Sequence, residues 1–395
     1  MSSHASRSSS NIPFQSDLDL DFLHGFTAPP AVAGRPAIAV VDLFCGCGGL
    51  TVGLKEAARR LGIRLEAVTA VDSDPVAAAV YSANNPETDV LIEDAAVVIS
   101  RAALPPADLL VGGPPCQGHS DLNNRTRRLD PKNELYLLMA HATEHVRPRM
   151  VVIENVPTVE RDRSQVVFRT ERALTAQGYR VAKAVVDASK LGVPQTRKRH
   201  LLLAYNDSVD ESPHTTLSSL CALAIPTRSV RWALEDLPTW PSALTLLDSI
   251  TKPSESTKRR IDYLFDHDIF ELPNELRPPC HTQSHTYKSV YGRLHWDRPA
   301  QTITTGFTSM GQGRYVHPKA RRVLTPREAA RLQTFPDWFD WSEAPSRSAL
   351  ARLIGNAVPP LLATRIGEAI LPLLSRGRIW TDQDHHPVLS EHRID

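Results

Sequence analysis

Residues 37–61 restrict the fold more than any other part of this 395-residue chain. An apolar run at 37–43 leads into the glycine-rich stretch DLFCGCGGL (42–50), and the apolar residues of 51–61 then recur at helical spacing. A strand, a glycine-rich turn and a helix in this order are typical of the nucleotide-binding start of a doubly wound sheet. The glycines let a ligand approach the backbone closely, although an ordinary strand-to-helix turn has the same pattern.

The composition argues against several other classes of protein. The formal net charge is +1, so any binding of nucleic acid has to come from local clusters of basic residues. The five cysteines form no Cys-x-x-Cys pair, which disfavours a structural zinc site or a disulfide framework and favours a reducing compartment. No apolar run reaches ~18 residues, so no membrane span is predicted. The Ser-rich first residues lack the apolar segment of a secretory signal.

Acidic residues follow the next apolar runs. Residues 66–71 are predicted to form the second strand, which ends at Asp72 and Ser73. A carboxylate at this position can accept hydrogen bonds from both hydroxyls of a ribose. It could instead cap the helix predicted to start at Pro75, a role that suits Asp74 better. Asp94 ends the third segment, and the residues alone are equally compatible with a solvated turn there.

A cysteine and a glutamate follow two further buried strands. The run at 107–111 leads into GGPPCQG (112–118), whose glycines and prolines predict a stiff turn that holds Cys116 accessible. That placement suits a nucleophilic thiolate, whereas an isolated cysteine is more often a small packed side chain. The strand at 150–153 ends in Glu154. Both residues lie at the carboxyl edge of the predicted sheet, so they can face one pocket.

The stretch QTRKR (195–199) precedes an apolar strand at 201–204. Residues two apart in a strand point to the same face, so Arg197 and Arg199 are predicted to share one. Two guanidinium groups on one face predict an anionic or polar ligand. A surface strand with ion pairs is the alternative.

In chain order, these stretches resemble the DNA cytosine-5 methyltransferase family. The matching elements are DLFCGCGGL, the acids at 72 and 94, GGPPCQG, ENV (154–156), QTRKR, the Thr302-Ile303 pair, the helix with the capping box Thr325 to Glu328, and NAV (356–358). The chain departs from the family at His119, where Phe or Tyr is usual. The resemblance covers about residues 38–204 and 298–374.

The resemblance implies an α/β fold with a doubly wound, mostly parallel seven-stranded sheet that binds S-adenosyl-L-methionine. A small, irregular target-recognition lobe accompanies the sheet. In this family Asp72 would bind the ribose and Asp94 the adenine amino group. The cofactor-binding residues that the resemblance implies are Phe44, Cys45, Gly46, Gly48, Leu50, Asp72, Ser73, Asp94, Pro114, Asn356 and Val358.

The implied reaction is methyl transfer to C5 of a flipped-out cytosine in a specific sequence of double-stranded DNA. Cys116 would attack C6 of the base, and Glu154 would be protonated or share a proton with N3. Arg199 would hold O2. Arg197 would help to position the thiol and favour the thiolate, and Gln195 belongs to the same motif.

Individual side chains are expected to read the DNA, because the predicted recognition region has equal numbers of basic and acidic residues. The candidate DNA contacts are Ser120, Arg125, Arg127, Arg128, Thr302, Gly311 and Arg314. The predicted organisation is a flexible arm (1–35), the cofactor-binding and catalytic domain (36–199), the target-recognition region (200–321), the C-terminal return to the catalytic domain (322–375) and a tail (376–395).

Two alternatives remain at this point. A related enzyme that acts on tRNA would usually have a shorter recognition region with a Cys-Phe-Thr signature, which this chain lacks. A non-catalytic relative would usually have lost Cys116 or Glu154. The expected partner is double-stranded DNA, with a restriction endonuclease as a functional partner without contact. The chain is expected to be monomeric, without metal or membrane contact, inside a prokaryotic cell.

Overall fold

The structure is a computed structural model that describes residues 15–33, 37–115, 134–242, 244–279 and 290–376. Several predicted functional residues lie outside the described residues, namely Cys116, His119, Ser120, Arg125, Arg127 and Arg128.

Within the described residues, seven strands form the central sheet. These strands are β1 (Ile38–Leu43), β2 (Leu65–Val71), β3 (Asp89–Leu91), β4 (Leu109–Gly112), β5 (Met150–Asn155), β6 (Arg180–Asp187) and β8 (Lys198–Tyr205). Their order is β3-β2-β1-β4-β5-β8-β6, and only β8 runs against its neighbours. Two short strands, β7 (Gln195–Thr196) and β9 (Ala300–Gln301), pair separately in parallel. The mostly parallel, seven-stranded sheet confirms the predicted fold class.

Helices cover both faces of the sheet. They are α1 (Gln15–His24), α2 (Gly49–Leu61), α3 (Pro75–Asn84), α4 (Ala95–Ser100), α5 (Leu135–Val146), α6 (Val166–Ala176), α7 (Pro213–Ala222), α8 (Val230–Leu234), α9 (Glu255–Asp266), α10 (Pro326–Leu332), α11 (Arg347–Asn356) and α12 (Pro360–Ser375). One core cluster joins the sheet to α2, α7 and α12, and a second joins it to α4, α5 and α6. β4 and β5 are therefore buried along their whole length, as parallel strands covered on both faces are.

Glycines allow α2 and α12 to pack closely, although they lie at opposite ends of the chain. A Cβ atom at Gly53 would lie 2.1 Å from the carbonyl oxygen of Pro360, and one at Gly367 would lie 2.6 Å from Cβ of Ala57. Among the described residues, the stretch Arg347–Ser375, which comprises α11 and α12, is long and apolar enough to cross a membrane. However, 67% of its apolar segment is buried inside the protein. Burial of this kind is what a core helix shows.

The prediction of a flexible arm over 1–35 is wrong for Gln15–His24, which form α1. α1 packs onto the domain through Phe22 and Leu23, which are both buried. Asp19 in the same helix is fully buried and forms ion pairs with three arginines, which are Arg60, Arg228 and Arg365. The polar sequence of α1 concealed this role, because all three partners lie far away in the chain.

The predicted boundary at residue 200 is also wrong, because it cuts through a strand. β8 continues to Tyr205 and pairs with β5 and β6 over its full length. α7 then packs against β6 and contributes Leu217 and Leu220 to the main core. In the described part of the chain, the recognition region has a hydrophobic cluster of its own, which is formed by α9 and by later residues such as Val316.

Candidate active site

The topology brings two functional turns together at one edge of the sheet. β1 and β4 are neighbours, with Leu43 opposite Gly112, whereas β2 lies on the other side of β1. The strand order therefore reverses between β1 and β4. Ligands of doubly wound sheets bind at the carboxyl edge beside such a reversal. The glycine-rich turn after β1 and the turn that begins at Gly113 flank this crevice.

The glycine-rich turn leaves β1 through left-handed backbone. The φ angle is 57° at Phe44, 54° at Gly46 and 94° at Gly48. Among the described residues, no atom would lie within 4 Å of a Cβ atom at Gly46, so a ligand can approach the backbone there. Phe44 adopts this conformation despite its side chain, and such residues concentrate at binding sites.

Asp72 is held by the turn that it faces. Its carboxylate accepts hydrogen bonds from the backbone N–H groups of Gly46 at 2.8 Å and Asp74 at 2.9 Å. Burial raises the pKa of Asp72, and these two hydrogen bonds offset the effect only in part. The side chain remains half-buried beside the exposed Ser73. An acid fixed in this way can accept hydrogen bonds from ribose hydroxyls at the crevice.

Two other acids in this region cap helices. Asp74 accepts a hydrogen bond from the N–H of Val76 at 3.1 Å, which confirms its predicted capping role. Asp94 accepts one from the N–H of Ala96 at 2.8 Å, at the start of α4, and is exposed. The contact of Asp94 with an adenine amino group stays a prediction, since the cap engages one of its two carboxylate oxygens.

Asp42 lies behind the turn and had no assigned role in the motif pattern. It is 1% exposed, and Thr51 donates to its Oδ2 at 2.7 Å, while the Thr51 hydroxyl also lies 3.0 Å from that of Tyr81. Burial raises the pKa of Asp42 to about 7. Its Oδ1 is buried and has no hydrogen-bond partner among the described residues. An acid inside an otherwise apolar strand was the sequence signal for this site.

The thiols of the turn are packed in the core. Cys45 and Cys47 are 6% and 2% exposed, and Leu50 is 4% exposed. Burial raises the pKa of Cys47 to about 12 and that of Cys45 well above its ordinary value. Cys45 and Leu50 were both predicted to bind the cofactor; both side chains are buried, and that role stays a prediction.

Glu154 and Arg199 form an ion pair at the end of β5. Nε of Arg199 lies 2.7 Å from Oε1 of Glu154, and both side chains are about nine-tenths buried. Oε2 of Glu154 lies 3.7 Å from the position of a Cβ at Gly113. Asn155 donates to the carbonyl of Pro114 at 3.1 Å, which ties β5 to the turn that precedes Cys116. The predicted acid and arginine are therefore brought together beside the turn at 113–115, which leads to Cys116 in the sequence.

Gln195 and Arg197 are buried and bonded to the backbone of distant segments. Gln195 is fully buried, donates to the carbonyl of Leu332 at 2.9 Å and accepts from the N–H of Ile303 at 3.1 Å. Arg197 is 2% exposed and donates to the carbonyls of Ile303 at 3.0 Å and Ala357 at 3.1 Å. These bonds join residues 195–197 to three distant segments of the chain, around residues 303, 332 and 357. The strand is interrupted at Arg197, between β7 and β8, and the shared face of Arg197 and Arg199 stays a prediction.

The motif NAV (356–358) contacts both the glycine-rich turn after β1 and the turn that begins at Gly113. A Cβ at Gly49 would lie 2.3 Å from the carbonyl oxygen of Val358, and one at Gly113 would lie 3.8 Å from Cγ2 of Val358. Asn356 ends α11 and is exposed, and Pro114 is buried. The C-terminal segment thus completes the crevice from the far end of the sequence.

The described candidates for DNA contact are already engaged within the protein. Thr302 donates to the carbonyl of Thr196 at 2.9 Å. Arg314 donates to the carbonyl of Phe270 at 2.8 Å and forms an ion pair with Glu271. A Cβ at Gly311 would lie 3.0 Å from the hydroxyl of Tyr291. The prediction of Arg314 as a DNA contact stays a prediction, and in the structure its charge is paired with Glu271.

The sheet order and the crevice define the class of this protein. An open backbone at Gly46 and a fixed carboxylate at Asp72, both at the strand-order reversal, fit a nucleoside ligand that carries a ribose. The buried Oδ1 of Asp42, which has no partner in the part of the chain that the structure describes, lies behind the same turn. A seven-stranded sheet with one reversed strand and this site belongs to the methyltransferases that use S-adenosyl-L-methionine.

The chain belongs to the C-5 cytosine-specific DNA methylase family, whose profile matches residues 38–372. Type II methyltransferase M1.BsuMI of Bacillus subtilis (strain 168) is 40% identical over 343 residues, which cover 83% of this chain and 79% of that relative. Type II methylase M.HgiDII of Herpetosiphon aurantiacus is 32% identical over 352 residues, covering 84% of this chain and 94% of that relative.

Solved structures agree with this fold. A DNA modification methyltransferase encoded within an E. coli prophage superposes with a TM-score of 0.62 at 26% identity, covering 85% of this chain and 99% of that chain. The Dnmt2 methyltransferase of S. pombe superposes with a TM-score of 0.59 at 20% identity, covering 85% and 98%, and supports the fold alone. Membership of the family makes the chain a DNA cytosine methyltransferase with S-adenosyl-L-methionine as its methyl donor.

Proposed function

We propose that this enzyme methylates C5 of a cytosine flipped out of duplex DNA through a covalent adduct between Cys116 and C6. The supporting observation is the Glu154–Arg199 ion pair beside the Gly113-Pro114 turn. Cys116 follows that turn directly in the sequence. A nucleophile, a carboxyl group and a guanidinium group around one crevice are what addition to a pyrimidine requires.

The thiolate has to act first, because C5 of cytosine is too weak a nucleophile to take a methyl group. When the sulfur of Cys116 bonds to C6, the electrons of the C5–C6 double bond shift toward C4 and N3 takes up a proton. C5 is then an enamine carbon. S-Adenosyl-L-methionine supplies the methyl group that C5 accepts. Loss of the C5 proton and cleavage of the S–C6 bond restore the C5–C6 double bond and release the Cys116 thiolate, and N3 gives back the proton that it took up.

Glu154 and Arg199 stabilise the charge that develops on the base. Oε1 of Glu154 faces Arg199, whereas Oε2 lies toward Gly113 and is the oxygen available to N3. Arg199 can share its guanidinium between Glu154 and O2 of the base, so the charge is neutralised as the adduct forms. Arg197 and Gln195 support this arrangement through their hydrogen bonds to the backbone carbonyls of Ile303 and Leu332.

The base has to leave the duplex before Cys116 can reach it, because C6 is enclosed by neighbouring base pairs. Flipping a paired base costs a few kcal/mol. Double-stranded DNA is the proposed substrate, and individual side chains of the recognition region select its sequence.

Bisulfite sequencing of DNA from cells that express the protein tests this function. The native protein and Cys221→Ser, which changes an exposed cysteine in α7, should both leave 5-methylcytosine in one sequence context. Cys116→Ser should leave none, and it should not form a denaturant-resistant complex with DNA that contains 5-fluorocytosine. An adduct formed by Cys116→Ser, or methylation of tRNA without DNA, would contradict the proposal.

A further inference from the structure

A chain of hydrogen bonds that is buried except at its carboxylate end lies next to the Glu154–Arg199 pair and plays no part in the mechanism described so far. The hydroxyl of Tyr136 lies 2.9 Å from Nε2 of His200, and Nδ1 of His200 lies 3.1 Å from Oε1 of Glu160. The His200 side chain is fully buried, and Tyr136 is 2% exposed. Glu160 is 40% exposed, so the chain runs from two buried side chains to a carboxylate at the surface. Two polar side chains placed together in a core are costly unless both are satisfied.

The three residues come from three elements that meet behind the active site. Tyr136 is in the first turn of α5, His200 is in β8, and Glu160 is in the short helix Pro157–Arg161 that follows β5. His200 comes directly after Arg199, and it pairs in register with Asn155, which comes directly after Glu154. Consecutive strand residues point to opposite faces, so His200 lies on the sheet face opposite to Arg199. The chain of hydrogen bonds therefore fixes both strands at the position of the catalytic pair.

The carboxylate sets the direction of these hydrogen bonds. An ionised carboxylate only accepts, so Nδ1 of His200 has to carry the proton that is donated to Glu160. Burial lowers the pKa of His200, and the charge of Glu160 offsets this only in part, so the ring is neutral. Nε2 is then an acceptor, and the hydroxyl of Tyr136 has to donate to it. One tautomer thus satisfies every buried group.

We propose that Tyr136, His200 and Glu160 form a brace that positions the Glu154–Arg199 pair for catalysis. This inference rests on the proposed function, because its consequence is measured on methyl transfer. The brace touches neither base nor cofactor, so it acts through the placement of β5 and β8. Its loss should lower the rate of the chemical step and leave the binding of S-adenosyl-L-methionine unchanged.

Tyr136→Phe removes one hydroxyl group and is the sharpest test. We expect the single-turnover rate of DNA methylation to fall by about 3- to 10-fold, the effect of one misaligned hydrogen-bonded group. The dissociation constant for S-adenosyl-L-methionine should not change. His200→Leu should show a larger loss of rate. His200→Asn, which keeps a donor near the Nδ1 position, should recover part of it.

Tyr179→Phe is a matched control. Tyr179 belongs to the same core cluster, is 7% exposed and donates its hydroxyl to the carbonyl of Pro148 at 2.7 Å. It lies before the start of β6, away from the edge that carries Glu154. Its loss should lower stability as much as Tyr136→Phe does, with no change in the rate. Equal rates for the two variants would overturn the brace and reduce Tyr136 to a structural residue.

The tautomer of His200 provides a readout that does not depend on activity. Nitrogen chemical shifts of labelled histidine should show a neutral ring that is protonated at Nδ1, and Tyr136→Phe should shift the Nε2 resonance. A ring protonated at Nε2 would contradict the brace. A native protein that forms the expected tautomer but fails to methylate DNA would instead refute the proposed function, and with it any catalytic role of the brace.

Discussion

Asp19 of α1 and Arg365 of α12 form an ion pair in which both side chains are fully buried. The same carboxylate also pairs with Arg60 of α2, at 2.6 Å, and with Arg228, which precedes α8. Arg228 in turn stacks on the ring of Trp232, at 4.1 Å from its centroid. One carboxylate near the start of the chain therefore holds together both ends of the catalytic domain and the segment that leads into α8.

Asp19→Asn should destabilise the protein strongly, because it leaves three buried guanidinium groups without their shared anion. We expect the free energy of unfolding to fall by about 3–5 kcal/mol, as when a buried pair loses one partner. Urea unfolding followed by circular dichroism measures this change. Asp21→Asn is the matched control, since Asp21 is an exposed residue of the same helix. A loss no larger than that of the control would show that α1 is dispensable.

Asp72→Asn should weaken the binding of S-adenosyl-L-methionine by about 1–3 kcal/mol, the cost of losing charge-assisted hydrogen bonds. The amide keeps one acceptor for Gly46 or Asp74, so the turn should stay folded. Calorimetric titration gives the affinity, and the exposed Asp89 supplies a control variant, Asp89→Asn. Unchanged affinity would move the ribose site away from the end of β2.

Two substitutions of Asp94 separate capping from ligand binding. Asp94→Ser keeps a side-chain acceptor for the N–H of Ala96, whereas Asp94→Ala removes the cap and should cost about 1 kcal/mol of stability. If Asp94 also accepts the adenine amino group, both variants should lose affinity for S-adenosyl-L-methionine, and only the alanine variant should lose stability. Affinity that falls only in the alanine variant would assign Asp94 to the cap alone.

The buried acid Asp42 should make stability depend on pH. Its pKa is raised from 3.8 to about 7 in the folded protein, so between these values the native state binds a proton that the unfolded state has lost. Its contribution to the free energy of unfolding is therefore fully present below pH ~4 and is lost as the pH rises toward ~7.

Asp42→Asn tests this dependence, because the amide cannot ionise and can still accept from Thr51. We expect the stability of the variant relative to the native protein to rise between pH 4 and 7 and to level off above. Denaturant unfolding across this range measures the difference. Parallel curves for the two proteins would show that Asp42 titrates at its ordinary value in the folded state.

Local patterns in the sequence were enough to predict the sheet and the acids at its edge. The apolar runs of β1, β4 and β5 gave strands because fully buried parallel strands have no polar face to interrupt them. The capping box of Thr325 and Glu328 is present in α10 because both of its hydrogen bonds are formed within four residues. Glu154 and Asp72 were placed correctly because parallel strands put their carboxyl ends at one edge.

The tertiary structure alone decided the partners of the buried polar groups. Asp19 lies in a helix of polar appearance, and its burial depends on arginines 41, 209 and 346 residues away in the chain. Arg197 follows a short strand, and the carbonyls to which it donates approach from residues 303 and 357. His200 sits in an apolar strand, and only the packing of α5 supplies its tyrosine.

The difference between the elements that the sequence predicts and the polar contacts that it does not predict has one physical cause. Strand and turn propensities act between residues close in sequence, so periodicity and glycine spacing reveal them. Buried charges are tolerated only where opposite charges and carbonyl oxygens converge from several elements, and that convergence is a property of the folded chain. The sequence therefore determined which elements form and where the crevice lies, whereas the tertiary structure determined which of its polar residues face the crevice and which hold it together.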